Sequence, residues 1–277
     1  MTAPAPHHAP APHAYVSPIP VRAAHLGDAL ASEWTKIRSV RSTMWTLGVM
    51  VLLMVGIGIG VAAIASASEA PMGEESALGF GFFGMLPASI CVITLGVLTI
   101  ASEYGTGMIR TTLTACPSRA RVLTAKAIVF FLLVFTLTTV VATLVAAAQV
   151  AMVDATEPTA AEWLRATVGS AAYLASLGLL SMAIGTLIRH SAGAITVMIG
   201  LLLLPLVVAL FMFNQTLQPV QKFLFTYAIP SQMISLYSET PPFGDSGPAG
   251  WEALLIMAAV AAAALGGAYA LLNARDV

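Results

Sequence analysis

Charge is what this chain has least of. Only 9% of its 277 residues are Asp, Glu, Lys or Arg, against about 25% in a soluble domain. So few charges cannot clothe a water-soluble surface of this size, so lipid must be most of the solvent. The formal net charge is −1, which removes the electrostatic case for binding nucleic acid. Cysteine is nearly absent. Cys91 falls in an apolar run and Cys116 in a charged loop, so they form neither a plausible disulfide nor a metal motif and read as packing residues. Beyond the N-terminal region the only histidine is His190, which leaves no Ser/His/Asp or Cys/His set. There is no Gly-x-x-x-x-Gly-Lys-Ser/Thr loop, so the chain cannot hydrolyse ATP by that route.

What is abundant is apolar length: 58% of the residues are hydrophobic. Six runs stand out, at about Met44–Ala65, Phe80–Ser102, Ala127–Val153, Ala166–Ile188, Gly193–Phe213 and Ala253–Leu272. As helix each is long enough to cross a ~30 Å hydrocarbon core. None contains Asp, Glu, Lys, Arg or His, whereas one central charge costs ~2.5–3.5 kcal/mol on insertion. The missing mid-membrane carboxylates also argue against a self-powered proton-coupled carrier. A Na⁺ site of carbonyls and hydroxyls stays open. The fold class that follows is an all-α integral membrane protein with six transmembrane helices.

Orientation is read from lysine and arginine. With the N-terminus in the cytoplasm, Arg22, Lys36, Arg38, Arg41, Arg110, Arg119, Arg121, Lys126, Arg189 and Arg275 lie inside, and only Arg165 and Lys222 outside. Both termini are therefore expected in the cytoplasm. Trp34, Trp45, Trp163 and Trp251 fall at the run boundaries, where an aromatic belt sits.

Along the chain, residues 1–21 form an Ala/Pro/His tail expected to be disordered, in which His7, His8 and His13 offer at most weak metal binding. Residues 22–43 hold an amphipathic helix, with Leu26, Leu30, Trp34 and Ile37 on one face. Lying in the membrane surface, it would set Lys36, Arg38 and Arg41 against lipid headgroups; packed on protein, it would show the same pattern. The six-helix part, 44–277, holds a charged loop at 103–126 and an outer connection at 214–250. The latter is expected to carry one or two short helices dipping into the outer leaflet, then a turn at Pro241–Gly247. Pro87 and Pro205 should kink their runs. Gly56 and Gly60 have a spacing that suits close helix contact. Gly79, Gly81 and Gly84 match a dinucleotide fingerprint, but no strand precedes them, so they read as packing glycines.

The loop at 103–126 is the only internal cluster of charge. Gly105 and Gly107 break the second helix. Met108 to Cys116 make a short helix with Ile109, Leu113 and Cys116 on one face, Pro117 stops it, and Ser118 can cap the third span. By periodicity alone an ordinary loop obeying the charge rule is the favoured reading over a coupling helix. The stretch Glu103-Tyr104-Gly105-Thr106-Gly107-Met108-Ile109-Arg110-Thr111, with Ser118-Arg119 and Lys126, resembles the signature of permease subunits of ABC-2 type ABC transporters. Ser32-Glu33-Trp34-Thr35-Lys36-Ile37 resembles the helix that precedes their first span.

The resemblance implies a non-catalytic permease of an ATP-driven exporter in the plasma (cytoplasmic) membrane. Such a permease pairs with a second permease chain, identical or not, and with ABC ATP-binding subunits. ATP and Mg would be bound by those subunits and no cofactor by this chain. It further implies that Glu103, Tyr104, Gly105, Ile109, Arg110, Leu113 and Arg119 form the coupling interface. Glu103 would brace the base of the second helix, and Ile109, Arg110 and Leu113 would touch the ATPase. Glu33, Trp34 and Lys36 would make the contacts of the leading helix. The competing readings are an ion-coupled carrier or channel, and a membrane enzyme or assembly factor.

Overall fold

The computed structural model describes residues 25–68, 76–116, 118–238, 241 and 247–274. The tail at 1–21, Arg22, Glu69, Glu74, Glu75, Pro117, Glu239, Asp245, Arg275, most of the turn at 241–247 and the side chain of Leu113 lie outside the described residues. The elements in order are α1 (Leu26–Ser39), α2 (Arg41–Ala67), a 3₁₀ turn (Ala77–Phe80), α3 (Gly81–Thr106), α4 (Met108–Ala115), α5 (Arg119–Met152) and α6 (Ala160–Leu164). A π turn (Arg165–Gly169) leads into α7 (Ser170–Ile188), followed by α8 (Ser191–Leu210), α9 (Gln218–Tyr227), α10 (Ile229–Ser235) and α11 (Trp251–Ala274). No strand occurs among the described residues.

Six helical stretches are long and apolar enough to cross a membrane: Arg41–Ala67, Ala77–Thr106, Arg119–Met152, Ala160–Ile188, Ser191–Leu210 and Trp251–Leu272. The chain is thus an all-helical, six-span membrane protein. α7 is the axle. It packs on α3, α5, α8 and α11, and Tyr173, Leu174, Leu177 and Met182 along it are wholly buried. The outer surfaces of α2, α5, α8 and α11 instead expose Leu52, Leu132, Leu204 and Leu255, which suits hydrocarbon and not water.

Glycine sets the close packing, but not at the positions the spacing suggests. Gly56 and Gly60 face open space. The contact is made one register over by Gly58, where an added Cβ would come within 2.8 Å of Val145 Cγ1. Gly84 lies against the α2 backbone, and an added Cβ there would stand 2.6 Å from Met54 O. Gly96 abuts Gly178 O in the same way. Gln149 Nε2, buried on α5, donates to Gly58 O at 2.9 Å. α3 and α8 run through Pro87 and Pro205 as continuous helices.

The charged loop is shorter than the sequence suggests. α3 continues past Ser102 to Thr106, so Glu103 is helical, and α5 begins at Arg119, two turns before Lys126. Only α4 and its flanks remain between the spans. Gly107 supplies the left-handed turn (φ 74°) that separates α3 from α4, a conformation side chains other than glycine resist. Ser118 Oγ accepts from Arg121 N at 3.3 Å and caps α5. At the opposite end, Arg165 is buried and its Nε donates to Leu236 O at 2.9 Å. That bond fixes the π turn against the segment after α10.

Candidate functional site: a buried charged cluster under the short helix

α1 does not lie with its charges out and its apolar stripe alone turned inward. Glu33 and Ile37 are the buried residues of the helix, whereas Leu26 and Trp34 remain exposed. Leu30 and Trp34 line a shallow apolar groove against α5. The reason is chemical: Glu33 finds a cation inside. Lys126 Nζ bonds Glu33 Oε2 at 2.6 Å and Glu103 Oε1 at 2.9 Å. Lys36 Nζ bonds Glu33 Oε1 at 2.8 Å and Glu103 Oε1 at 2.9 Å. Two carboxylates and two amines thus form a closed, formally neutral square joining α1, α3 and α5. Lys36 also reaches Thr112 Oγ1 of α4 at 3.4 Å, a long contact that brings the fourth helix into the set.

The four residues are not equally dry. The Lys126 side chain is 1% exposed and that of Lys36 27%. Burying four charges is costly unless each finds partners. Here only Glu103 Oε2 is left buried without a donor. Burial by itself lowers the Lys36 pKa. Its hydrogen bonds to Glu103 and Glu33 and the attraction of both carboxylates outweigh that, so the amine titrates above the ordinary lysine value. It therefore stays charged at neutral pH.

This geometry revises the expected contacts. Both carboxylates hold the amine of Lys36, which the sequence set against headgroups. Glu103 braces α1 and α5 together rather than only the base of its own helix. Ile109 turns inward and is buried, as is Cys116, so Ile109 is not on the open face of α4. That face carries Met108, Arg110, Thr111 and Thr114. Tyr104 stacks beneath Arg189, whose Cζ is 5.1 Å from the ring centroid, tying α3 to the turn between α7 and α8. Gly105 is exposed with free space around it. Arg119 donates to Leu272 O of α11 at 2.6 Å, which ties the start of α5 to the last span.

Spacing alone does not show that Glu33 and Lys126, 93 residues apart, share a bond. The available signal is that Glu103 and Lys126 carry opposite charge and flank the same two apolar runs. Among the described residues no group of His, Cys, Asp or Glu is placed to hold a metal ion. The arrangement does no bond chemistry by itself. What it can do is transmit displacement, since a load on α4 or α1 reaches two spans through a cross-linked base.

The structure is a six-span helical bundle in which buried ion pairs lock the leading helix α1 to α3 and α5 beside the short helix α4. The chain belongs to the ABC-2 family of transporter proteins: the family described as ABC-2 family transporter protein matches residues 29–204, more than half of the chain. The match contains all four members of the charged square and the whole of α4. A comparison with curated proteins found no match. The protein is therefore an integral membrane subunit of the ABC permease kind.

Proposed function

We propose that this chain is the permease of an ATP-driven exporter and that α4 receives the stroke of a separate ATP-binding subunit. The observation that carries the reading is the charged square. Glu33 and Lys36 of α1, Glu103 of α3 and Lys126 of α5 are joined directly, with Thr112 of α4 against Lys36. A soluble subunit pressing on Arg110, Thr111 and Thr114 pushes on a unit that cannot yield locally, so the motion passes into α3 and α5. α3 and α5 both pack on α7, and the bundle then re-sorts its spans between inward-facing and outward-facing forms. ATP and Mg sit in the partner. A second permease chain completes the path.

The distribution of charge supports the orientation. Among the described residues, Lys36, Arg38, Arg41, Arg110, Arg119, Arg121, Lys126 and Arg189 gather at the end that bears α1 and α4, and Arg165 and Lys222 lie at the other. The basic end belongs in the cytoplasm of a plasma-membrane protein, and six crossings return the chain to the side where it began.

The test is co-reconstitution of the chain with its ATP-binding subunit in liposomes. Arg110→Ala combined with Thr114→Ala, both on exposed positions, should leave the permease folded but lower permease-stimulated ATPase activity and ATP-dependent substrate efflux together. Undiminished stimulation removes α4 as the docking element.

A further inference from the structure

Where α1 crosses α5 the two helices leave a groove of ≈700 Å³ between them, within the size range of ligand sites. Leu30, Ala31 and Trp34 of α1 wall it on one side. On the other, α5 lines it with apolar side chains from Ile128 to Val140, with Thr136 among them. Trp34 is 45%, Leu132 54% and Val140 53% exposed, so nothing in the chain itself fills the trough. An open apolar trough of this size is stable only when something apolar lies in it.

Depth and charge decide what that is. From Ile128 to Val140 α5 rises about 18 Å at 1.5 Å per residue, a little over half of a ~30 Å hydrocarbon core. The groove therefore serves one leaflet, the one around the basic end. Leu144, one turn further and 66% exposed, is outside it. At the headgroup end α1 roofs the groove, since Glu33 and Ile37 on its other side are buried and Glu33 is bonded to Lys126 of α5. A transmembrane helix of a second copy laid along α5 would run into α1, whereas an acyl chain ends beneath it. The same end carries cations. Arg38 follows Trp34 by four residues and so lies one turn on along the same side of α1. Arg41 begins α2, and both arginines are exposed. The acids of α1 are engaged elsewhere: Asp28 accepts from His25 N, and Glu33 from Lys36 and Lys126.

We propose that this groove binds one acyl chain of an anionic phospholipid, whose headgroup is met by Arg38 and Arg41. The chain lies along α5 from beneath α1 to the bilayer midplane and wedges α1 in place. Apolar contact supplies the hold. The two arginines supply the preference for a headgroup with net negative charge, and Trp34 sits between them and the trough as an interfacial aromatic does. The assignment needs only the groove and the membrane setting, and it stands or falls separately from the coupling role of α4.

The experiment uses the full-length chain, purified in detergent and stripped of lipid, with retention read by native mass spectrometry. The probes are phosphatidylglycerol and phosphatidylcholine. Phosphatidylglycerol should be held about fivefold or more tighter, the worth of one or more arginines at the headgroup. Arg38→Gln with Arg41→Gln should erase that preference. Thr136→Phe fills the trough from an exposed position and should lower retention of both lipids about tenfold, the worth of roughly two buried methylenes, while the chain still melts cooperatively. Leu144→Phe makes the same kind of change on α5 outside the groove and should leave retention unchanged. Equal loss in Thr136→Phe and Leu144→Phe overturns the site, since it describes lipid coating the whole span. Equal retention of the two lipids by the wild type, or a preference that survives the double arginine change, overturns the headgroup assignment. A dimer in the wild-type spectrum that Thr136→Phe splits overturns the lipid in favour of a second copy of the chain.

Discussion

Replacing Lys126 with methionine tests whether the charged square holds the base of the bundle together. Methionine keeps the unbranched stem and removes the amine. In the wild type that amine is 2.6 Å from Glu33 and 2.9 Å from Glu103 and is shielded from water. Without it, two carboxylates share Lys36 alone, and the site goes from formally neutral to one net negative charge. Removing one member of a buried ion pair costs ~3–5 kcal/mol, because the partner is left charged and dry. At ~2–4 °C per kcal/mol for a chain of this order of size, the melting temperature should fall by about 6–20 °C. Lys36→Met is the control. Lys36 is 27% exposed, so water can replace part of what is lost, and its effect should be nearer about 1 kcal/mol. Glu33→Gln added to Lys126→Met should cost less than the two single changes summed, with a coupling energy of about 1–3 kcal/mol. The assay is thermal unfolding of the detergent-purified chain followed by tryptophan fluorescence. A Lys126→Met shift no larger than that of Lys36→Met, or strict additivity with Glu33→Gln, refutes the reasoning.

The packing glycines and the pH response give two further expectations. Gly96→Ala places a methyl against Gly178 O and 3.0 Å from Ser181 Cβ, so α3 and α7 must part. A loss of about 1–3 kcal/mol is expected. Gly56→Ala meets nothing within 4 Å and should be neutral or up to ~1 kcal/mol stabilising through helix propensity. Thermal melts showing equal losses at the two positions would contradict this packing. The Lys36 pKa is raised on folding above its ordinary 10.5. Its stabilisation is therefore fully present below that ordinary value and is lost only as pH rises through the higher folded one. The stability difference between wild type and Lys36→Met should stay flat from neutral pH to about 10 and narrow above it. Narrowing between pH 7 and 9 in denaturation measurements would rule out Lys36 as the titrating group.

The spans are legible in the sequence because each demands only local information: about twenty apolar residues without charge, and a helix as the one way to satisfy the backbone in lipid. Their ends are not. α5 has 34 residues, about 51 Å at 1.5 Å per residue, so it outruns a ~30 Å core. Its first two turns, Arg119 to Lys126, therefore look like loop. The same applies to Glu103 at the foot of α3. The left-handed Gly107 and the Ser118 cap can be read from residue chemistry, being contacts of near neighbours. Periodicity sets Ile109 and Cys116 on one face of α4, but it cannot say whether that stripe faces the bundle or a partner, and it faces the bundle. The buried Arg165 also gives no local sign: its bond to Leu236 crosses 71 residues, and basic residues beside a span normally read as headgroup contacts.

An arrangement of ion pairs differs from an apolar seam in one physical respect that bears on coupling. An apolar helix face at the membrane surface can slide along its neighbour or exchange it for lipid at little cost. Glu33 has no substitute for Lys126 in that surrounding, so α1 is held in one register against α3 and α5. Sharing goes further, since Glu103 Oε1 accepts from both lysines. A charge swap separates an isolated pair from a shared one. If Glu33 and Lys126 were a private pair, Glu33→Lys with Lys126→Glu would restore most of the stability lost by either change. In the square, the exchanged glutamate faces Glu103, and the exchanged lysine sits one turn from Lys36, which bonds the original Glu33 at 2.8 Å. The double variant should therefore melt no higher than Lys126→Met and should lose ATPase stimulation with it. Recovery of wild-type melting by the swap would reduce the square to two independent bonds and take away the rigid base that the proposed transmission from α4 requires.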